Sequence, residues 1–229
     1  GNVVDSLKFG FRHSIPISTN ITLFKYFTLT PALNMSAVMY TKTTQKDLDY
    51  ESNKLITKTN RDFKTGYDAN FNTSLTTKVF MDYMFKSKRV KQVRHLLIPT
   101  INYTYRPDFG EEQYGFWKEV LSDTVNKVKT RYSIFENTLF NGPSVGEQNS
   151  LGINLNNNLE AKIRKRTDTG FVYQKVVLLQ NLSFAGNYNF AADSMRMSNI
   201  TATGRTKIWK FFDLVFSSTF DPYFYDADL

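Results

Sequence analysis

The sequence has no cysteine among its 229 residues and only two histidines. Without cysteine, disulfide frameworks, thiol catalysis and thiolate metal sites are excluded from this chain, and the redox compartment stays undecided. No stretch approaches the roughly 18 to 20 consecutive apolar residues of a transmembrane helix, so a helical membrane protein is excluded. Alanine and glutamate, two of the usual residues of soluble helices, are scarce.

Aromatic and small polar residues are abundant instead. The chain has 20 Phe, 13 Tyr, 24 Thr and 20 Asn, a composition that favours β-structure with many turns and has too many large rings for disorder. The formal net charge of +8 would suit nucleic acid, but the basic residues lie neither on one helix nor on a short sheet with known ring platforms. We therefore expect no nucleic-acid partner.

Alternation of apolar and polar residues is the dominant pattern, as in strands with one dry face and one wet face. Over 62–85, nine of the twelve odd positions are apolar or aromatic. Over 151–164 the odd positions are apolar except for Asn157, and no even position is apolar. The same period recurs along the chain and predicts about nine strands: 7–17, 27–39, 62–85, 93–105, 131–140, 151–164, 182–190, 197–208 and 212–220.

The length of these segments separates two kinds of β-protein. Soluble sandwich strands usually have roughly five or six residues, whereas a strand that crosses a bilayer needs roughly 9 to 11. Aromatic residues also gather at strand ends, as in interfacial belts, for example Phe24, Tyr26 and Phe27, and again Trp209, Phe211 and Phe212. We predict an all-β fold, an antiparallel transmembrane β-barrel of the cell outer membrane. A secreted soluble β-sandwich is the alternative.

The two ends of the sequence suggest part of a longer barrel. The chain starts at Gly1 without an initiator methionine and stops at Leu229 without the terminal aromatic residue common in outer-membrane barrels. Bacterial single-chain barrels also have even strand numbers. We therefore expect about nine strands of a larger barrel and assign 1–229 to one barrel domain.

The longest predicted connection is 107–130. One short amphipathic helix is expected within 111–129, because apolar residues recur there at helical spacing: Tyr114, Trp117, Leu121, Val125 and Val128. The segment is therefore predicted as a long loop with a short helix.

Two basic runs lie near predicted strand ends. The first contains Lys86, Lys88, Arg89, Lys91 and Arg94, and the second contains Arg164, Lys165 and Arg166 next to Lys162. We predict that these side chains contact anionic groups such as lipid phosphates or acidic sugars, which arginine can bind with two parallel hydrogen bonds. The alternative is a pair of solvated hairpin ends whose charge prevents edge pairing.

No pattern typical of an enzyme occurs. GxSxG, HExxH and P-loop motifs are absent, and His13 and His95 have no partner at metal-ligand spacing. The adjacent Glu111 and Glu112 are typical of a solvated loop rather than a catalytic pair. We predict no catalytic, cofactor or metal site.

Residues 94–108 read RHLLIPTINYTYRPD. This stretch resembles the RHxxxP strand and the following YxYRP motif in the barrel of LptD, the outer-membrane lipopolysaccharide-assembly family. Segments 132–137 and 142–144, leading into 151–164, and segment 181–223 are similar to stretches of a more divergent branch of that family. The resemblance covers most of the chain from about His13 onward.

The resemblance implies a barrel of about two dozen strands, preceded by a periplasmic β-jelly-roll domain and plugged by an LptE-like lipoprotein. Lipopolysaccharide then arrives over an LptA-like periplasmic bridge; its lipid enters the bilayer between the first and last strands while its sugars cross the lumen. This chain is expected to be an interior block of that wall, without the gate strands, that helps insert lipopolysaccharide into the outer leaflet. A porin or nutrient receptor would share the wall chemistry and is the second reading.

The alternation then predicts which side chains meet the cargo. If the odd positions of 63–85 and 151–163 face outer-membrane lipid, the even positions face the lumen and offer hydrogen bonds to sugar hydroxyls. The predicted lumen-lining residues are Lys64, Asn70, Asn72, Lys78, Asn154, Asn156, Asn158 and Lys162. Many weak polar contacts suit transit, because a tight site would trap the cargo.

Overall fold

A computed structural model of the protein describes residues 8–168, 170–208 and 212–223. Within that part the chain forms fourteen strands and one 3₁₀ turn, Glu112–Tyr114. The strands are β1 Gly10–Ser18, β2 Ile21–Leu23, β3 Phe27–Tyr40, β4 Thr43–Asp49, β5 Lys54–Asn60, β6 Lys64–Thr77, β7 Val79–Met84, β8 Val90–Arg106, β9 Trp117–Asp123, β10 Val128–Ser133, β11 Gln148–Thr167, β12 Gly170–Asn189, β13 Ile200–Ile208 and β14 Phe212–Phe220. The predicted all-β, antiparallel fold is confirmed.

Ten of the strands form one sheet. Its order is β1-β3-β6-β8-β11-β12-β13-β14, with β2 paired to β3 and β7 paired to β8. Two separate two-stranded sheets consist of β4 with β5 and of β9 with β10. In the described part of the chain, no helix has the length and apolar character needed to cross a membrane.

Connections at the two ends of the main strands differ in length. Short turns at 24–26 and 85–89 lead into β3 and β8, and only a short connection that includes Asp168 separates β11 from β12. Longer connections at 41–63, 107–147 and 190–199 follow the same three strands. Because successive strands run antiparallel, short and long connections alternate between the two strand ends. We call the end of each strand with a short connection the short-turn end and the end with a long connection the long-loop end.

The chain forms two compact units. Within the described residues, unit 1 comprises 8–18, 32–71 and 105–148, and unit 2 comprises 19–31, 72–104, 149–168, 170–208 and 212–223. Unit 1 holds both two-stranded sheets, and unit 2 holds the long β11–β12 hairpin.

The core of unit 1 is aromatic and lies between β3 and the segment that follows β10. Its buried residues are Val38, Tyr40, Phe109, Phe116, Ile134 and Phe135, and the Phe135 side chain has no exposed surface. The Tyr40 hydroxyl accepts a hydrogen bond from the Phe140 backbone N–H at 2.8 Å and donates to the Asn141 carbonyl at 3.1 Å. Gly66 allows this approach, because a Cβ there would lie 2.7 Å from the Phe135 ring. Side chains of β3 thereby anchor the loop.

Two hairpin ends of unit 1 are joined by Asn53. This residue has φ 48°, and its side-chain oxygen accepts hydrogen bonds from the Thr124 backbone N–H at 3.1 Å and hydroxyl at 3.0 Å. The turn itself is held by Asp123, whose pKa is lowered mainly by a hydrogen bond from the Asn126 side chain and then by the Val125 backbone N–H. The turns of β4–β5 and β9–β10 therefore stay together.

Three sequence predictions in and beside the long connections were wrong. The helix expected within 111–129 is replaced by the 3₁₀ turn and the β9–β10 hairpin. A step of four, as from Trp117 to Leu121, suits one face of a strand as well as a helix. Segment 41–60, the interval between the predicted strands 27–39 and 62–85, is no irregular loop and holds the β4–β5 hairpin. The predicted strand 131–140 ends at Ser133. Trp209 and Phe211 lie outside the described residues.

Replacing Phe135 by alanine is expected to lower the free energy of unfolding of unit 1 by about 3 to 5 kcal/mol, because the lost ring leaves a cavity. Leu139→Ala, in the same loop but 53% exposed, is the matched control and should cost less than about 0.5 kcal/mol. Urea unfolding in detergent, followed by the fluorescence of Trp117 beside the core, measures both. Equal losses in the two variants would contradict the central position of Phe135.

Candidate functional site

Strand register divides the main sheet into two chemically different faces. Residues directly opposite each other in an antiparallel pair share a face. In the β11–β12 hairpin, Asn154 lies opposite Ala185 and Asn156 opposite Ser183, whereas Leu155 lies opposite Phe184. Over 150–157 of β11 and 182–189 of β12, even positions of β11 and odd positions of β12 therefore form a polar face, and the remaining positions form a mainly apolar face.

In unit 1 the polar face is a ladder of side-chain hydrogen bonds between β3 and β6. The Asn34 amide donates to Asn70 Oδ1 at 3.0 Å. One step along, the Ser36 hydroxyl donates to Asp68 Oδ1 at 2.7 Å. The opposite face of β1 and β3 aligns Phe11, Ile15 and Ile17 with Met39, Met35 and Leu33. The polar and apolar residues of β1 and β3 are thus mostly separated in this region, with His13 opposite Ala37 as a polar exception on the apolar face.

In unit 2 similar polar contacts join neighbouring strands. The Thr104 hydroxyl donates to Asn72 Oδ1 at 2.9 Å, and the hydroxyls of Thr76 and Thr100 lie 3.0 Å apart. The polar face continues into β13, where Ser183 lies opposite Thr203. The side chains of these contacts are neutral amides and hydroxyls, which bond to one another and keep further donors and acceptors available.

The apolar face of unit 2 is exposed. Ile153 is 54% exposed and Phe220 is 55% exposed. Among the described residues of unit 2, only Ala161 and Ala202 are buried hydrophobic side chains. Apolar area left in water costs about 25 cal/mol per Å², and contiguous exposed apolar surface marks contact with another protein or with a membrane. Both two-stranded sheets belong to unit 1, so the described residues of unit 2 include no second sheet that could cover this face as in a soluble sandwich.

The two basic runs meet at the short-turn end. The Arg164 backbone N–H donates to the Arg89 carbonyl at 2.8 Å, although the residues are 75 positions apart in the sequence. The Arg164 guanidinium carbon lies 3.6 Å from the centre of the Phe171 ring, and the Lys162 ammonium lies 5.6 Å from that of Tyr173. These pairs are cation–π contacts between the two strands of the hairpin.

Two acidic residues neutralise part of this charge. Asp82 accepts two hydrogen bonds from the Arg94 guanidinium, at 2.8 Å and 3.2 Å. Glu160 lies 2.7 Å from the Lys175 ammonium. Arg94, one of the predicted anion contacts, is therefore engaged by a carboxylate and differs from the seven others.

A family model described as LptD protein matches residues 1–223. The chain belongs to the LptD family. No curated protein and no solved structure matches the chain. LptD-family proteins are outer-membrane proteins, act in lipopolysaccharide transport and assembly, and are not enzymes. The chain thus has a general role in lipopolysaccharide assembly, with lipopolysaccharide as cargo and the Lpt pathway as its partners in general terms.

The LptD-like stretch 94–108 is a set of structural anchors. Arg94 binds Asp82 on β7. At the other end, the Arg106 guanidinium donates to the Gly146 carbonyl at 3.0 Å. Asp108 Oδ1 accepts the backbone N–H groups of Gly110 and Gly146, both at 2.7 Å. These bonds hold the loop that enters β11.

A polar pair on the apolar face was not predicted. His95 Nε2 lies 3.0 Å from Asn157 Oδ1, and the Asn157 amide donates to the Leu182 carbonyl at 3.1 Å. The register of β11 and β12 shifts directly beside Asn157. A signal existed in the sequence, since His95 and Asn157 are the polar residues at the otherwise apolar odd positions of 93–105 and 151–163.

The predicted lumen residues lie in different surroundings. Asn70 and Asn72 are in the bonded ladders, Asn154 lies 3.5 Å from the Ser183 hydroxyl, and Asn156 is opposite that serine. The remaining four have other neighbours: Lys64 is 3.8 Å from Asp62, Lys78 separates β6 from β7, Asn158 donates to the Gln180 carbonyl, and Lys162 lies over Tyr173. Their contact with a lumen stays a prediction.

No group of acidic or histidine side chains in the described ranges is arranged to hold a metal ion.

The His95–Asn157 pair is expected to be energetically coupled. Asn157→Ala leaves His95 without its partner at an apolar position, which should cost about 1 to 3 kcal/mol of folding free energy. A double-mutant cycle with His95→Ala, measured by urea unfolding in detergent, should return a coupling of about 1 kcal/mol. Asn156→Ala, on the polar face, is the control for loss of an amide. Strictly additive losses in the cycle would show that the pair contributes no coupling.

Proposed function

We propose that residues 1–229 form part of the wall of one outer-membrane β-barrel that inserts lipopolysaccharide into the outer leaflet. In this proposal the apolar face meets membrane lipid and the polar face meets the lumen. Membership in the LptD family favours this role over that of a porin or nutrient receptor, whose walls have similar chemistry.

The separation of the two faces carries the proposal. A strand in lipid must pair all of its backbone groups within the protein and must present apolar side chains outward. β8 has 17 residues and β11 and β12 have 20 each, more than the roughly 9 to 11 that cross a bilayer. The exposed apolar face then requires no covering protein layer, because lipid tails cover it.

The polar face suits the transit of sugars. Its amides and hydroxyls are neutral and already share hydrogen bonds, as in Asn34–Asn70 and Asn72–Thr104. A sugar hydroxyl can exchange with one such bond at little net cost, because a typical hydrogen bond contributes only about 0.5 to 1.5 kcal/mol net. Each contact is therefore weak enough to be broken as the cargo advances.

The loop segment after β10 narrows the proposed lumen at the long-loop end. Phe135 approaches Gly66, and Tyr40 bonds Phe140 and Asn141. Tyr40 and Gly66 occupy even positions of β3 and β6, the same parity as Asn34 and Asn70 in the polar ladder. The loop therefore covers the polar side of unit 1. In a barrel, that position closes part of the lumen on the side of the longer connections.

The proposal for the protein partners rests on membership in the LptD family and not on contacts within the chain. We propose an LptE-like lipoprotein in the lumen and an LptA-like bridge that delivers lipopolysaccharide from the periplasm. The chain supplies interior strands in this arrangement, and the lateral gate is formed by other strands.

Adjacent positions of β11 test which face meets lipid. Leu155→Lys should cost about 2 to 4 kcal/mol near the middle of the bilayer, because a charge on the lipid face is poorly solvated. Asn154→Lys, one residue away on the polar face, is the matched control and should assemble normally. The readout is the fraction of protein in the outer membrane that migrates as the folded form on unheated gels. Normal assembly of the Leu155→Lys variant would contradict the proposed facing.

Photo-crosslinking tests the translocation role. A benzophenone amino acid at Asn154 should capture lipopolysaccharide in living cells, because that position faces the proposed path. The same residue at Ile153 should capture lipid without the sugar chain. Immunoblots against the polysaccharide measure both. Capture of polysaccharide at Ile153 alone, or at neither position in a correctly assembled protein, would refute the path.

A further inference from the structure

We infer that the short-turn end carries a binding surface for the anionic headgroups of phospholipids in the periplasmic leaflet of the outer membrane. The inference rests on the proposed membrane-spanning wall. It assigns a further ligand to a surface that the path for lipopolysaccharide does not use. We call this surface the basic rim: Lys86, Lys88, Arg89, Lys91, Lys165 and Arg166.

Strand pairing brings the basic rim together. Its residues come from the 85–89 turn, the start of β8 and the end of β11. The backbone hydrogen bond from Arg164 to Arg89, at 2.8 Å, joins the turn to β11. All six side chains are exposed. A patch assembled from two sequence-distant turns presents several positive charges to one neighbouring surface.

The charge of the rim is uncompensated within the described residues. Segments 85–91 and 165–168 contain six basic residues and one acidic residue, Asp168. The nearby carboxylates of Asp82 and Glu160 are engaged by Arg94 and Lys175. No ion pair of a rim residue occurs in the described part of the chain. An anionic partner relieves the mutual repulsion of these cations, and phosphate accepts hydrogen bonds from both lysine and arginine.

Exposed rings beside the rim indicate a membrane interface rather than bulk water. Tyr83 is 51% exposed and Phe85 is 45% exposed, and both precede the basic turn. On the β12 side, Phe171 is 57% exposed and lies under the Arg164 guanidinium. Aromatic rings with basic residues just beyond them are typical of the headgroup level of a bilayer.

The choice of leaflet follows from the connections. Outer-membrane barrels have short periplasmic turns and longer extracellular loops. The rim lies at the 85–89 turn and at the end of β11, whereas the longer connection 107–147 follows the other end of β8. The rim therefore meets the periplasmic leaflet, whose lipids are phospholipids, and lipopolysaccharide accumulates in the other leaflet. This commits the surface to a phospholipid headgroup.

The test uses the whole protein in nanodiscs that contain neutral phosphatidylcholine and anionic phosphatidylglycerol. After gentle detergent extraction, native mass spectrometry counts the lipids of each class that stay bound. The wild type should retain phosphatidylglycerol in excess of its share in the nanodisc. Charge removal in K86Q/K88Q/R89Q/K91Q should lower that excess about tenfold, and K86R/K88R/K91R should keep it.

The control removes four positive charges at the long-loop end, in K54Q/K118Q/K127Q/K129Q, and should retain phosphatidylglycerol like the wild type. If both quadruple variants lost the phosphatidylglycerol excess equally, net charge alone would explain the binding, and the inference would be overturned. An unchanged excess in the rim variant would also overturn it. A third outcome would overturn it as well: the wild type retains added lipopolysaccharide instead of phosphatidylglycerol, and the rim variant loses that lipopolysaccharide.

A separate experiment tests on which side of the membrane the basic rim lies. The chain has no cysteine of its own, so a single introduced cysteine can be labelled within it. A cysteine at Lys88 should react with an impermeant maleimide only after the outer membrane is opened, whereas one at Lys127 should react on intact cells. Reaction of Lys88→Cys from outside intact cells would overturn the leaflet assignment while leaving the wall intact. A protein that never reaches the folded, gel-shifted form would instead count against the proposed function.

Discussion

Pairing of the backbone in antiparallel register is the constraint on which both faces of this protein depend. Residues opposite each other share a face, so Leu155 and Phe184 are forced to one side while Asn156 and Ser183 are forced to the other. A slip of one residue would exchange all of these side chains between the two environments. The ladders Asn34–Asn70 and Asn72–Thr104 add side-chain bonds that agree with the backbone pairing.

Departures from this rule occur where the structure needs a polar group or an extra residue. His95 and Asn157 stand on the apolar face, bonded to each other, and the register of β11 and β12 shifts beside them. A buried or lipid-facing polar group is costly without a partner, so the two exceptions support each other. At the short-turn end, cation–π contacts such as Arg164 over Phe171 replace the neutral ladder.

Unit 1 differs from unit 2 because its long connections form a buried core. Its loops carry enough aromatic residues to form a buried core around Phe135, and that core rests on β3 and β6 through Tyr40 and Gly66. A long connection without such a core would remain mobile, because loop backbone alone does not offset its conformational entropy. Asn53 adds a bond between the two hairpin ends.

The amino-acid sequence by itself determined the all-β class, most strand positions and the separation of polar from apolar residues, because alternation with a period of two is a local property of each strand. It also carried the LptD motifs of 94–108. It did not predict the β4–β5 hairpin, and it indicated a helix where β9 and β10 lie, since a step of four fits both structures. Only the tertiary structure decided that Arg89 meets Arg164 and that His95 meets Asn157, because pairing between distant strands depends on register across the whole sheet.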